Sequence, residues 1–404
     1  MTTRPDNSAG LNDQAQDVWA IIAPALQNSD SPAGLPARAY QALQTWPTHN
    51  LPHDLWQEIL ALLPLEDQTR LAHTNHPMQD IVGQLAPQAL DPTAHTTPGF
   101  TRTLYTQTEL DTRLSTRPGQ WVAFIPGTDS DLTIGQGRAH VHSPGTLTAV
   151  TAGTVTAHGD THITTVAGGT VRTYDEASIT TVTGGTVTAK GETMITTVTN
   201  GTVWAHDQAS ITIVTDGTVC TYAQASIEEV TGGTVIAHEQ ATITTVTDGT
   251  VSASGETKIT TVNGGYVTAD EQATITTVTS GDIYASEQAT ITTVTGGTVR
   301  AYAQATIEEV TGGHVTAEGQ ATITTVTGGT ITADNQATVT AMSGDAHIIA
   351  RGNAQVIIEA GADGVRVDAY DAAHITAHSG TITLHSPNVT ITSNTDSNAV
   401  ISHA

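Results

Sequence analysis

The sequence predicts a mainly β chain: a two-strand-per-coil parallel β-solenoid of 16-residue coils, with a small all-α N-terminal domain. Three observations predict it. Isoleucine recurs at one fixed interval (Ile163, Ile179, Ile195 and onward to Ile323), valine follows each three positions later (Val166 to Val326), and glycine six positions later (Gly169 to Gly329). Each 16-residue unit divides into two related octapeptides, too short for helices, whose Ile or Val alternates with polar residues as in short strands. Composition also shifts near residue 120. Helical periodicity dominates before it, and β-branched, glycine-punctuated sequence follows.

Residues 1–118 form the predicted helical domain. Leu11 to Gln27 and Leu35 to Trp46 carry apolar residues at helix spacing, separated by the breaker stretch NSDSPAG. A further helical segment runs from Leu51 to Val82, and Leu110 lies in a short amphipathic piece that stops before Arg117-Pro118-Gly119. The solenoid then spans 119–404, with regular repeats over 155–342 and irregular coils over 343–395. Beyond Val339 the phase slips, yet octapeptides persist in AHIIARGN and TITLHSPNVTI. About 17 coils stacked at roughly 4.8 Å predict a rod of about 80 Å.

The corners follow the same period. Ahead of each repeated glycine stands Gly, Asn, Asp or Ser (Gly184, Asn200, Asp216, Ser280), types that tolerate a left-handed backbone, and the glycine itself has no Cβ to clash. The second corner carries glutamine at Gln208, Gln224, Gln240, Gln272, Gln288, Gln304, Gln320 and Gln336, suited to an amide ladder. A longer period of five coils is superimposed: Thr221 to Gly233 returns as Ala301 to Gly313. Segmental duplication accounts for it, and it sets Glu228-Glu229 about 24 Å from Glu308-Glu309, far enough for like charges to be screened.

Charge excludes several functions. The 404 residues hold 39 acids against 13 Lys and Arg, a formal charge of −26, and 78 threonines. Such a chain lacks the cations that displace counterions from a phosphate backbone, so no nucleic acid is expected, and no anionic membrane surface. A single cysteine, Cys220, rules out an internal disulfide framework and a Cys-rich zinc site. The N-terminus shows no basic region followed by an apolar run, and no stretch approaches 18 apolar residues. The expectation is a cytoplasmic protein, with delivery into a host cell by an unmarked secretion route left open.

Leu55, Ile59, Leu60 and Leu63 form one apolar stripe; Leu71, Met78, Ile81 and Val82 supply two further short helices, and Pro52 and Pro64 sit at helix starts. This segment resembles the F-box motif, with Leu51, Pro52, Leu55, Ile59, Leu60, Leu63 and Leu71 on matching positions. Met78 stands where that family prefers Trp. The resemblance implies a three-helix unit that docks on the adaptor of a cullin-type ubiquitin ligase. The residues equally suit a cap over the open first coil, which every solenoid needs.

The threonines are also ranked. Thr244, Thr260, Thr276, Thr292 and Thr324 follow the inward Ile and point outward, while Thr274, Thr290 and Thr322 precede it, giving a Thr-x-Thr array. This two-strand unit is similar to bacterial ice-nucleation and ice-binding solenoids, which implies a water-ordering face. Glu228, Glu308 and Lys258 interrupt the ranks. Threonine is also simply a good outward strand residue.

No catalytic motif is present: GxSxG, a P-loop and HExxH are all missing. Among the histidines, His140 and His142 form Ala-His-Val-His, and His158, His206 and His238 recur at matching corners, too far from one another to share a metal. No enzyme, cofactor or metal is therefore expected. The function expected is a non-catalytic scaffold for a protein partner. The alternatives are an ice-binding solenoid and an acidic DNA mimic, the last motivated by 27 acids against 7 bases in the solenoid. The short polar tail suggests an end-to-end homodimer through a poorly capped last coil.

Overall fold

The computed structural model describes residues 106–116, 119, 121–124, 126, 131–142, 145–393 and 397–404. The F-box-like segment, with Leu51, Pro52, Leu55, Ile59, Leu60, Leu63, Leu71 and Met78, lies outside the described residues, as does all of the predicted helical domain before residue 106. Beyond it the chain is a parallel β-solenoid whose strands alternate between two sheets, and it divides into two compact units.

The first unit comprises Met1–Thr164 with Gly169–Val171. Its described helix, Gln107–Thr116, begins with a capping box: the Glu109 carboxylate accepts the Thr106 N–H at 2.8 Å while the Thr106 hydroxyl accepts the Glu109 N–H at 3.3 Å. One face buries Leu110 and Leu114. The Gln107 amide then behaves like a strand backbone. It donates to the Thr133 carbonyl at 2.8 Å and accepts the Thr133 N–H at 2.7 Å, so this helix satisfies the edge of the short strand Thr133–Ile134. The helix Gln107–Thr116 covers this one strand edge, while the cap expected from Leu51 to Val82 lies outside the described residues.

The second unit comprises Thr165–Gly168 with Arg172–Ala404. One sheet is built of four-residue strands such as Thr250–Ala253, in which Val251 and Ala253 are buried. We call it the Val/Ala sheet. The other, the Ile/Val sheet, has five-residue strands such as Thr242–Val246 that bury Ile243 and Val246. Each strand pairs in parallel with the equivalent strand of the next coil, as Val251 does with Val267 and Ile243 with Ile259. The interior is a narrow file of Ile, Val and Ala, with Ala241 and Ala273 closing the second corner. Coils this thin leave little room for rings, Phe124 beside Val141 being an inward exception, in keeping with aromatics at only 4% of the chain.

The two sheets differ in one respect that strict alternation does not predict. The Val/Ala strands alternate, whereas the Ile/Val strands place two outward residues between their inward ones, as Thr244 and Thr245 lie between Ile243 and Val246. Because the regular coils through Thr322–Val326 carry the same irregularity, their ladder stacks without loss, pairing Thr245 with Thr261 as well as Val246 with Val262. Between Ile323 and Val326 the register shifts, because the next strand, Thr338–Ala341, has a single outward residue between Val339 and Ala341. Ile331 pairs with Ile348, Ile348 with Val367, Val367 with Ile382 and Ile382 with Ile401, so coil length wanders while the inward side stays apolar. The strand Val400–His403 leaves Val400 and Ile401 exposed.

Both corners turn through left-handed backbone. At the first, the repeated glycines carry it, as at Gly249 (φ 90°). The preceding Asn200, Asp216 and Asp248 each accept the glycine N–H at 2.7 Å. At the second corner the left-handed residue precedes the glutamine file and is often not glycine: Asp175, Asp207, Ala223, Glu239, Glu271, Glu287, Ala303 and Asn335 all have φ of 54–61°.

Candidate recognition surfaces

The outward position of each Val/Ala strand and the residue just after the strand form two parallel files on one face. In Thr202–Ala205 the outward residue is Trp204, and the ladder places Cys220 directly beside it on the next strand. The residues after successive strands are His206, Tyr222 and His238. Their rings stack. Trp204 lies 6.1 Å from Tyr222 with planes 7° apart, and Tyr222 is bracketed by His206 at 4.9 Å and His238 at 5.3 Å. Trp204 stays 37% exposed, while Cys220 is only 5% exposed and burial pushes its thiol pKa up, so the sulfur is a neutral filler. Burial lowers the His206 pKa first and Lys190 lowers it further, against the opposing pull of Asp207 and Glu239.

The same arrangement returns five coils later. Tyr284 occupies the position of Trp204 and Tyr302 that of Tyr222, with centroids 6.4 Å apart and planes 13° apart. Tyr266 adds a tilted ring 5.2 Å from Tyr284. The difference lies at the neighbouring position, where Arg300 stands instead of Cys220. Its guanidinium sits 5.0 Å above the Tyr284 ring and donates to the Tyr284 hydroxyl at 2.7 Å.

The Ile/Val sheet carries the predicted threonine ranks. Thr244, Thr260, Thr276 and Thr324 are exposed, whereas Thr274, Thr290, Thr292 and Thr322 are half-buried. The ladder aligns Thr274 with Thr290, and the second outward residue adds another file through Thr245, Thr261, Thr277, Thr293 and Thr325, broken by Glu229 and Glu309. Threonines just past these strands have a structural task. Thr199, Thr215, Thr247 and Thr295 each turn a hydroxyl back to the valine carbonyl of the preceding coil, at 3.1–3.2 Å.

Two histidine groups are not legible as groups in the sequence. His140 is fully buried, with its ring centroid 6.4 Å from both His142 and His158, which stack at 5.4 Å. Burial, then the two neighbouring imidazoles, push the His140 pKa well below the ordinary range; burial and then His158 bring that of His142 to about 3. The second group is in the irregular coils, where His347 and His385 reach opposite oxygens of Asp368 at 2.8 and 3.1 Å. Burial pushes the Asp368 pKa up, but the two hydrogen bonds outweigh it and hold the carboxyl below its usual range. Among the described residues no group of three or more His, Cys, Asp or Glu is arranged to hold a metal ion.

In the sequence, Trp204, Tyr284 and Arg300 stand out only as breaks in a possible second threonine file. The signal of their pairing is the five-coil interval, which separates Trp204 from Tyr284 and equally Tyr222 from Tyr302. No family model, no curated protein and no solved structure matches the chain.

Proposed function

We propose that this chain is a non-catalytic repeat scaffold for protein interaction, with the outer face of the Val/Ala sheet as its recognition surface. The supporting observation is the duplicated ring pair, Trp204 with Tyr222 and Tyr284 with Tyr302. A solenoid needs no outward aromatics for its own core, and exposed Trp and Tyr are the residue types that dominate binding energy at interfaces. The F-box-like segment supplies a second contact, toward a ubiquitin-ligase adaptor. The test is a cross-linking pull-down with three baits: the wild type, a Trp204→Thr/Tyr222→Thr variant, and a variant with Leu55, Ile59 and Leu60 made polar. Each variant is expected to lose a partner that the wild type retains; equal recovery by all three removes the reading.

A second reading rests on the exposed threonines Thr244, Thr260, Thr276 and Thr324. Regular hydroxyl ranks on a flat sheet suit an ordered water layer. Thermal hysteresis by the full chain, abolished when Thr276 and Thr292 are replaced by bulky residues, is the outcome it requires.

A further inference from the structure

The two ring pairs are equivalent by the five-coil duplication, and they differ in whether a cation is already seated. At Tyr284/Tyr302 the chain supplies its own: the Arg300 guanidinium lies over the Tyr284 ring and donates to its hydroxyl. At Trp204/Tyr222 the same ladder position holds Cys220, whose side chain ends one atom beyond Cβ. The indole there is the stronger cation acceptor of the two ring types. Carboxylates lie nearby as well: Asp207 and Glu239 are within electrostatic reach of His206, opposed there by Lys190, and Glu239 is within reach of Tyr222. This pair therefore has the ring face of the other and a carboxylate beside its tyrosine, Glu239 at Tyr222 as Glu318 at Tyr302, without the guanidinium.

We propose that Trp204/Tyr222 is a docking site for an arginine on a basic segment of a partner protein, which stacks on the exposed part of the Trp204 indole and plays in trans the part that Arg300 plays in cis at Tyr284/Tyr302. The proposal rests on the protein-interaction reading above and names the chemistry of the partner. Arginine fits better than lysine because a planar guanidinium stacks on a ring while its edge still donates hydrogen bonds, as Arg300 does here. Charge complementarity favours the same occupant, since the chain is at −26 and long-range attraction would speed the approach of any basic segment. The site gives that attraction an address.

Isothermal titration of the full chain at physiological salt tests this, with a nine-residue peptide alternating arginine and serine as the probe. Its control is the same peptide with citrulline, the uncharged isostere. The expected result is one arginine peptide per chain, with the citrulline peptide about tenfold weaker. Cys220→Arg should seat a guanidinium as Arg300 does and weaken binding about tenfold, although it changes the net charge by only one. Arg300→Cys should open the second pair and raise the stoichiometry from one to two. Circular dichroism checks each fold, and Trp204→Thr, which restores the residue found at Thr188 and Thr268, is the fallback if Cys220→Arg misfolds. Equal binding by the wild type and Cys220→Arg, equal binding of the two peptides, or no binding at all would overturn the site. The scaffold reading survives separately if the wild type and Cys220→Arg capture the same protein partner equally.

Discussion

The two corners of each coil both pass through left-handed backbone, yet only one of them demands glycine. At the first corner every regular coil has glycine, from Gly169 (φ 75°) through Gly281 (φ 99°) to Gly329 (φ 87°). At the second, Asp, Glu, Ala and Asn adopt φ of 54–61°. Two physical facts separate them. The second-corner values fall in the left-handed well that L-residues can occupy, shallow but real, whereas the first-corner values lie beyond it. The stacked coil adds the stronger constraint. A Cβ at Gly249 would lie 2.8 Å from the Gly232 carbonyl carbon and 2.9 Å from the Gly233 oxygen, whereas at Gly319 its nearest neighbour is 3.3 Å away. The first corner is held by packing against the preceding coil, the second mainly by backbone preference, its closest Cβ approaches in the regular coils being 3.0 Å at Gly191 and Gly255.

The largest expected effect follows from that contrast. Gly249→Ala drives a methyl group into backbone that cannot move without shifting the neighbouring coil, and should cost about 3 kcal/mol or more. Gly319→Ala should cost about 1 kcal/mol, the penalty of left-handed backbone alone. Hydrogen exchange reads both locally. The Thr250 amide, bonded to the Gly233 carbonyl at 2.9 Å, should lose most of its protection in Gly249→Ala. Comparable costs at the two glycines would show that the corners do not differ in kind.

Acid sharpens the contrast between the compact units. In the first unit, His140 and His142 are held neutral, with folded-state pKa values depressed below the ordinary 6.5. The sign follows directly. The unfolded chain takes up protons below pH 6.5 and the folded state does not, so stability is complete above 6.5 and falls as pH drops toward 3. Each imidazole kept neutral should cost about 1.4 kcal/mol per pH unit in that window. Amides of the first unit, such as that of His158, should therefore lose protection by pH 5. Those of the regular coils in the second unit, away from His206, should keep theirs at that pH. His140→Thr with His142→Ser, residues found at Thr156 and Ser254, should remove the acid sensitivity; unchanged exchange between pH 7 and 5 in the wild type would contradict it.

The coils are legible because one rule repeats: an inward Ile, an inward Val three positions on and a glycine six positions on fix the sheets, the first corner and the core. What escapes are features that couple one file to another. Trp204 stacks on Tyr222, which lies in the next coil but two positions further along it, so a search at the repeat period separates them. His142 and His158 do occupy equivalent positions, but their stacking beside the buried His140 depends on tertiary packing that no periodicity reports. The second corner turns one residue ahead of the glutamines that mark it in the sequence, for a different reason. An acidic residue ahead of glutamine reads as a solvated charge, and nothing in its type announces a left-handed backbone. The Gln ladder itself is sparse. Gln304 donates to Gln320 at 3.4 Å and Gln240 to Glu256 at 3.2 Å, so the amides assist the corner more than they define it.

The smallest effect concerns why carboxylates stand at that second corner at all. Glu271 accepts the Gly255 N–H at 2.8 Å, Glu239 the Ala223 N–H at 3.0 Å and Asp207 the Gly191 N–H at 3.3 Å, each across one coil. In all three the residue reached is Gly or Ala, so a carboxylate folds down only where no side chain blocks it. Glu287 follows Glu271 instead of a small residue, and among the described residues it makes no such bond. Both glutamates bear the same left-handed strain, so replacing either by alanine leaves the backbone cost unchanged and isolates the hydrogen bond. Glu271→Ala should then destabilise by about 1 kcal/mol, and Glu287→Ala by close to nothing, because it also removes a neighbouring like charge. Exchange at the Gly255 amide, compared with that at Glu271, reads the difference. Equal losses for the two variants would mean that the carboxylates are there for charge alone.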